Sequence, residues 1–286
     1  MLGKLFTAFV LIGTGVMIGW QLSLTPSHER NWQEHYARTP DAEVMDSVVR
    51  LRNVRNWSHD ESGVTGRVWL DEVEIDPTEI VQVWFALSAL SGSASIGHSF
   101  LSFELADGQA YTFSIEARRE EGEDYSVLLG MLRQYELWYG WGTEQDFFGV
   151  SLILLERPLE LYPLDLTAEQ RARLFVAAAR ATHEVAEQPR FYNTLTANCT
   201  NLLAKAINAQ APGTIPYHPA WNLPGFAPAF LARQGFIADT DIATLRERHR
   251  FAQASPAIRS AVREHADNFS VVLRSELQTQ VSAAEL

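Results

Sequence analysis

The sequence has one cysteine, Cys199, and two lysines, Lys4 and Lys205, in 286 residues. A lone cysteine excludes an intrachain disulfide, and with scattered histidines it gives no zinc-ligand spacing. No His-Glu-x-x-His, Gly-x-Ser-x-Gly, phosphate-binding loop or dinucleotide fingerprint occurs. Neither a metal nor any other cofactor is therefore expected. The net charge is -12 and no basic stripe is available to neutralise phosphates, so nucleic acid is not an expected partner. Hydrophobic residues make up 47%, enough for an ordinary core. The length suits one sizeable domain with appendages, or two small domains.

One long uncharged run stands out, Leu5 to Leu24. At roughly 1.5 Å per residue, about 20 residues span the hydrocarbon core of a bilayer. Lys4 precedes the run, and it ends at Gln21-Leu22-Ser23-Leu24-Thr25-Pro26 without a small-x-small cleavage site. The reading is an uncleaved single-pass inner-membrane anchor over 5–24. Residues 1–4 would be cytoplasmic and the bulk of the chain periplasmic; a cleaved signal and a buried core helix are the alternatives. A free thiol outside the cytoplasm is exposed to oxidants, so Cys199 needs a reason to be there.

The remaining chain divides into a polar tether at 25–45, a main domain at 46–250, and a C-terminal helix and tail at 251–286. Strands are expected at Val44 to Trp57, Phe148 to Leu155 and Leu159 to Leu164, a buried strand or the start of a short helix at Val81 to Leu90, and a loop and strand at Leu70 to Ile80. Tyr125 to Trp138 has helical spacing. Thr167-Ala168-Glu169-Gln170 is a capping box opening an alanine-rich helix. A further helix begins near Cys199, and Ser255-Pro256 opens a last one. Ala211 to Pro228 is an irregular stretch rich in proline and glycine. The mixture points to an α+β fold.

The clearest local signal is a hairpin. His98 to Leu105 alternates, Gln109 to Ala117 alternates again, and Ala106-Asp107-Gly108 lies between them. A three-residue turn makes Phe103 oppose Tyr111, Leu101 oppose Phe113 and His98 oppose Glu116. A two-residue turn would pair Glu116 with Ser99 instead.

Chemistry gathers on the same residues. A thiol at a helix N-terminus is favoured as thiolate by first-turn amides and the helix dipole, and an imidazolium neighbour favours it further. The next backbone amides are candidates for an oxyanion hole. Cysteine at a helix start, histidine at a strand start and a carboxylate on the next strand form a consistent nucleophile, base and orienting acid: Cys199, His98 and Glu116. Taken singly, each has a bland reading: a small buried hydrophobe, a structural histidine and a solvated carboxylate.

Several stretches carry a family resemblance. They include Asn53-Val54-Arg55-Asn56-Trp57, Gly97-His98-Ser99-Phe100-Leu101-Ser102-Phe103 and Ser114-Ile115-Glu116-Ala117-Arg118-Arg119. Others are Arg133-Gln134-Tyr135-Glu136-Leu137, Leu161-Tyr162-Pro163-Leu164, Phe191 to Thr200 and Leu223-Pro224-Gly225. Together they resemble the Lnb N-terminal periplasmic domain family, associated with bacterial lipoprotein N-acylation. The resemblance implies a circularly permuted papain-like (NlpC-type) domain with a central antiparallel sheet packed against helices, following the transmembrane helix. It implies Cys199 as nucleophile and His98 as base. Asn198, Tyr192 and Arg118, within the matched stretches, are the substrate-binding or oxyanion candidates.

The expected activity is a thiol acyltransferase. It would move a phospholipid acyl chain through a Cys199 thioester to an amine, such as a lipoprotein N-terminus, with the loop around Trp221 and Phe226 holding the chain. The alternatives are a cysteine peptidase or amidase on cell-wall peptides, which calls for a polar groove beside Cys199, and a non-catalytic envelope binding module. The segment between Trp57 and Leu70 is shorter than the family pattern, and longer members of the family carry further membrane spans after this domain.

Overall fold

The computed structural model describes residues 2–89, 96–210, 215–238, 241–263 and 268–284. Strands β1 (Asp41–Val44), β2 (Val49–Asp60), β3 (Gly63–Ile75), β4 (Ile80–Ala89), β5 (Gly97–Leu105) and β6 (Ala110–Arg118) follow an N-terminal helix, α1 (Leu2–Ser23). Next come α2 (Val127–Gly130), β7 (Glu136–Thr143), α3 (Glu144–Gly149), β8 (Leu159–Pro163), α4 (Ala168–Glu187) and α5 (Cys199–Gln210). Helices α6 (Ala227–Arg233) and α7 (Ile242–His249), strand β9 (Arg250–Phe251), and helices α8 (Pro256–Arg263) and α9 (Phe269–Ala284) complete the described elements.

The strands form one sheet in the order β1-β2-β7-β6-β5-β4-β8-β9, with β3 also paired to β2. All pairings are antiparallel except β2 with β7, joined in parallel at Arg55 and Gly142. The sheet is therefore mixed, a correction to the antiparallel expectation. One face packs on α4 through Leu174, Phe175, Ala178 and Val185. Aromatic rings fill that core: Phe113 and Trp141 lie 4.9 Å apart, Phe103 and Phe175 5.1 Å. The other face is covered by α3, α8 and α9 through Phe147, Ile258, Phe269 and Leu273.

The hairpin has the three-residue register. Leu101 pairs with Phe113 and Phe103 with Tyr111, and the turn closes where Gly108 N–H donates to the Leu105 carbonyl at 3.0 Å. Gly108 sits at φ +85°, which a side chain would strain. At the far end, Gly97 lets β5 lie close to β4. A Cβ there would come within 2.7 Å of the Leu87 side chain and 3.0 Å of the Ser88 carbonyl. That close approach fixes the start of the strand, one residue before His98.

Several expectations need correction. Residues 2–23 do form a helix, but among the described residues no helix is long and apolar enough to cross a membrane. Gly13, Thr14, Gly15 and Gly19 interrupt its apolar run, and Gln21 in its last turn donates its amide to the Leu132 carbonyl at 2.8 Å. The transmembrane anchor and the single-pass placement are therefore withdrawn.

Residues 25–45 are no free tether. Trp32 and Tyr36 are buried, and β1 adds to the sheet edge. Phe148 to Leu155 is not a strand but the end of α3 followed by a π-helical turn over Val150–Leu154. Thr143 caps α3 by accepting from Asp146 N–H, and the consecutive buried residues Ser151, Leu152 and Ile153 leave no periodicity to distinguish strand from helix. Only Val127–Gly130 of the expected Tyr125 to Trp138 helix is helical, because Glu136 already opens β7. Strand β3 is longer than the loop and strand expected at Leu70 to Ile80. Ser91-Gly92-Ser93-Ala94-Ser95, a loop of small residues by its sequence, lies outside the described residues.

Candidate active site

Helix α5 begins at Cys199, as the sequence implies, and its N-terminus meets the open end of the central hairpin. Successive residues of β5 point to opposite faces. Ser99 Oγ lies 3.1 Å from Thr200 Oγ1, while the neighbouring His98 imidazole hydrogen-bonds the Cys199 thiol. The strand thus grips the helix start from two consecutive positions. The thiol is buried.

His98 Nε2 lies 2.9 Å from Glu116 Oε1 and 2.7 Å from Ser114 Oγ, and Ser114 donates its hydroxyl to Glu116 Oε1 at 2.6 Å. That hydroxyl has one hydrogen, so Ser114 must accept from Nε2–H. Nε2 therefore carries a proton, and Nδ1 is the ring nitrogen left to exchange one with the thiol. The sequence reading missed Ser114. The hairpin register contained the signal, since Ser114 and Glu116 share a face two residues apart.

The electrostatics follow from this chain of contacts. Burial raises the Cys199 thiol, but the hydrogen bond and charge of His98, and hydrogen bonds from the Ser99 side chain and backbone, bring it down to about 7. Burial lowers His98, yet the Glu116 charge and the hydrogen bonds to Cys199 and Glu116 raise it to about 10. Burial raises Glu116, while His98, the Ser114 hydroxyl and Arg55 together hold it at about 2. Between pH 7 and 10 the stable form is thus thiolate, imidazolium and carboxylate, the charge state of an activated cysteine nucleophile.

The other expected site residues fare differently. Asn198 is a cap: its Oδ1 accepts from Thr200 N–H at 3.1 Å and Asn201 N–H at 2.9 Å. The first-turn amides expected to bind an oxyanion are therefore already engaged. Arg118 lies away from the thiol. Its Nε and Nη2 donate to the Tyr36 carbonyl at 3.0 and 2.6 Å, and it stacks over Trp32 at 4.3 Å, so it fastens residues 25–40 to the domain. Tyr192 is buried near the site. Burial and the Cys199 charge keep its phenol protonated, and its hydroxyl lies 3.3 Å from that of Tyr125.

Beside Thr200 lies a cavity of about 40 Å³, lined by apolar side chains of β4, β5 and α5 to α6, among them Phe85, Leu101, Ala204, Trp221 and Phe230. Trp221 borders it as expected, whereas Phe226 is exposed and does not. Among the described residues no group of His, Cys, Asp and Glu is arranged to hold a metal ion.

The model of the Lnb N-terminal periplasmic domain matches residues 68–223, more than half of the chain. The chain belongs to the Lnb N-terminal periplasmic domain family. No curated protein and no solved structure matches it. Membership marks an envelope-associated, Lnb-like protein of the periplasm. The matched span contains His98, Glu116 and Cys199, and also Ser114.

Proposed function

We propose that this Lnb-family chain is a thiol acyltransferase that carries an acyl group on Cys199. The observation that supports it most is the pairing of an activated thiol with an adjoining apolar cavity at Thr200. The peptidase alternative calls for a polar groove at that place.

In the first half-reaction the Cys199 thiolate attacks the carbonyl carbon of a phospholipid ester. The tetrahedral oxyanion collapses, the C–O bond breaks, and imidazolium His98 gives its proton to the departing alkoxide. A thioester and a lysophospholipid result. In the second half, an amine attacks the thioester and neutral His98 accepts its proton. The C–S bond breaks to restore the thiolate–imidazolium pair, and the product is an amide. Glu116 stabilises the imidazolium, and Ser114 holds the ring so that Nδ1 faces sulfur. With Asn198 engaged in its cap and Arg118 in the N-terminal segment, Tyr192 is the remaining oxyanion candidate of the three.

The test is intact-mass analysis of the wild-type chain and Cys199→Ser after incubation with phospholipid vesicles. Expected is a hydroxylamine-labile acyl adduct on wild type, absent or converted to a stable ester in the serine variant. No adduct on either protein, with a thiol that alkylates quickly at pH 6, would sink acyl transfer and favour the peptidase.

A further inference from the structure

The approach to Cys199 is flanked by a surface that the chemistry leaves unused. Val127, Leu128 and Leu129 of α2 are exposed, Leu128 by 65% of its surface, and so is Leu195 by 50%. These residues form one face because the two segments are tied together. Thr194 Oγ1 donates to the Val127 carbonyl at 3.0 Å, and Thr194 N–H to the Gly130 carbonyl at 3.3 Å. The same loop runs into the site, where Asn198 Nδ2 donates to the Thr194 carbonyl at 2.8 Å.

The charge pattern identifies what this face meets. The chain carries 35 acidic residues, yet none occurs from Tyr125 to Tyr135 or from Gln188 to Ala238. Within these two acid-free stretches lie α2, Leu195, Cys199 and most of the cavity lining. The cations beside the apolar residues are Arg133, on the segment after α2, and Lys205, one of only two lysines. Lys205 Nζ donates to the Thr196 carbonyl at 2.7 Å, next to Leu195, and Arg133 Nη1 to the Gln21 carbonyl at 3.1 Å. Both are exposed and carbonyl-bound, and among the described residues neither has a carboxylate partner. A chain of net charge -12 is repelled by an anionic surface except where such a face is turned toward it.

We infer that the face of Val127, Leu128, Leu129 and Leu195, rimmed by Arg133 and Lys205, docks on the headgroup layer of an anionic lipid bilayer. Apolar side chains enter the boundary between headgroups and acyl chains while the cations stay with the phosphates. The docking stands on this surface alone. Its purpose, delivering a lipid ester to Cys199, rests on the acyltransferase reading.

The test exploits the single cysteine. In the full chain, Cys199→Ser is combined in turn with Leu128→Cys, Leu195→Cys or Val271→Cys, the last an exposed control site on α9. Each variant is labelled with an environment-sensitive fluorophore and mixed with vesicles of phosphatidylethanolamine and phosphatidylglycerol. Emission at 128 and 195 is expected to brighten and shift to the blue while 271 stays unchanged. Adding Arg133→Gln and Lys205→Gln together should weaken binding about 30-fold, from about 1 kcal/mol per basic side chain near an anionic surface.

Silence at all three positions, or an equal change at all three, overturns the inference. So does a shift at 128 and 195 that needs no vesicles and grows with protein concentration, which assigns the face to a second copy of the chain. No thioester forms in these variants. A failure here leaves acylation of the wild type to be judged separately, and a failure of acylation leaves this result standing.

Discussion

Replacing His98 by asparagine is the sharpest probe of the site, because the two forces on Cys199 then separate. Burial pushes the thiol up, and the His98 hydrogen bond and charge are the foremost of the groups that bring it down to about 7. Without the imidazolium the thiol returns to about 9, the ordinary value, or above. At pH 6 the thiolate fraction falls from about a tenth to about a thousandth, close to 100-fold. The more basic thiolate is intrinsically about eightfold more nucleophilic at a Brønsted slope near 0.45. The net loss in alkylation rate at pH 6 is therefore about tenfold. The two profiles cross near pH ~8, and above that the sign reverses and the variant outruns wild type. The assay is iodoacetamide alkylation followed by intact mass across pH 5 to 10, and a chain with one cysteine needs no correction for other thiols. A variant slower than wild type at every pH would mean lost access rather than lost charge. A profile unchanged near 7 would mean that His98 does not set the thiol at all. Either result refutes the reasoning.

Two further perturbations test the groups behind His98. In Glu116→Gln, the His98 imidazolium should titrate well below 10, because its foremost raising influence is gone; an NMR titration of the ring resolves it. The same pair carries a stability signature. Glu116 is depressed to about 2, so its contribution is complete above about 4.5 and lost as pH falls through 2. His98 is raised to about 10, so its contribution is complete below about 6.5 and lost as pH rises through 10. The melting-temperature gap between wild type and the double variant His98→Asn/Glu116→Gln should therefore be widest between pH ~4.5 and ~6.5. A gap that does not vary with pH would contradict the pairing.

Asp146→Asn addresses the scaffold. The carboxylate is fully buried and holds Arg55 through bonds of 2.7 and 2.9 Å, so the variant leaves a buried guanidinium uncompensated. Urea denaturation should show a loss of about 3–5 kcal/mol. A loss under about 1 kcal/mol would show that Arg55 finds water or another partner.

Local rules explain what the sequence made legible. The Ala106-Asp107-Gly108 turn sets the hairpin register, and the register puts Glu116 beside His98. The Thr167–Gln170 capping box and the helix start at Cys199 are written in neighbouring residues and stand as read. What stayed hidden depends on distant contacts. Val150 to Leu154 reads as a strand by composition, yet it winds into a π-helical turn against Val262 and its neighbours, with Ser151, Leu152 and Ile153 buried in succession. Trp32 and Tyr36 sit in a polar stretch whose burial requires the Arg118 side chain, far along the chain. Arg118 shares a matched stretch and a strand face with Glu116, but it is the last residue of β6, where its guanidinium meets the Tyr36 carbonyl and the Trp32 ring instead of His98. Asn198 sits next to Cys199 in sequence, and only its bonds reveal a cap.

The order of the elements also bears on when the thiol becomes reactive. His98, Ser114 and Glu116 share one hairpin, whereas Cys199 is separated from it by α2, β7, α3, β8 and α4. Short-range closures precede long-range ones, so the imidazole and the carboxylate are in place early and the thiol arrives late. Until α5 docks, Cys199 is an ordinary thiol, mostly protonated at neutral pH. A chain still emerging, or one arrested before α5 docks, carries a dormant sulfur. Completion of the fold acts as the activating event, which spares a periplasmic protein from offering a thiolate to oxidants during its own assembly.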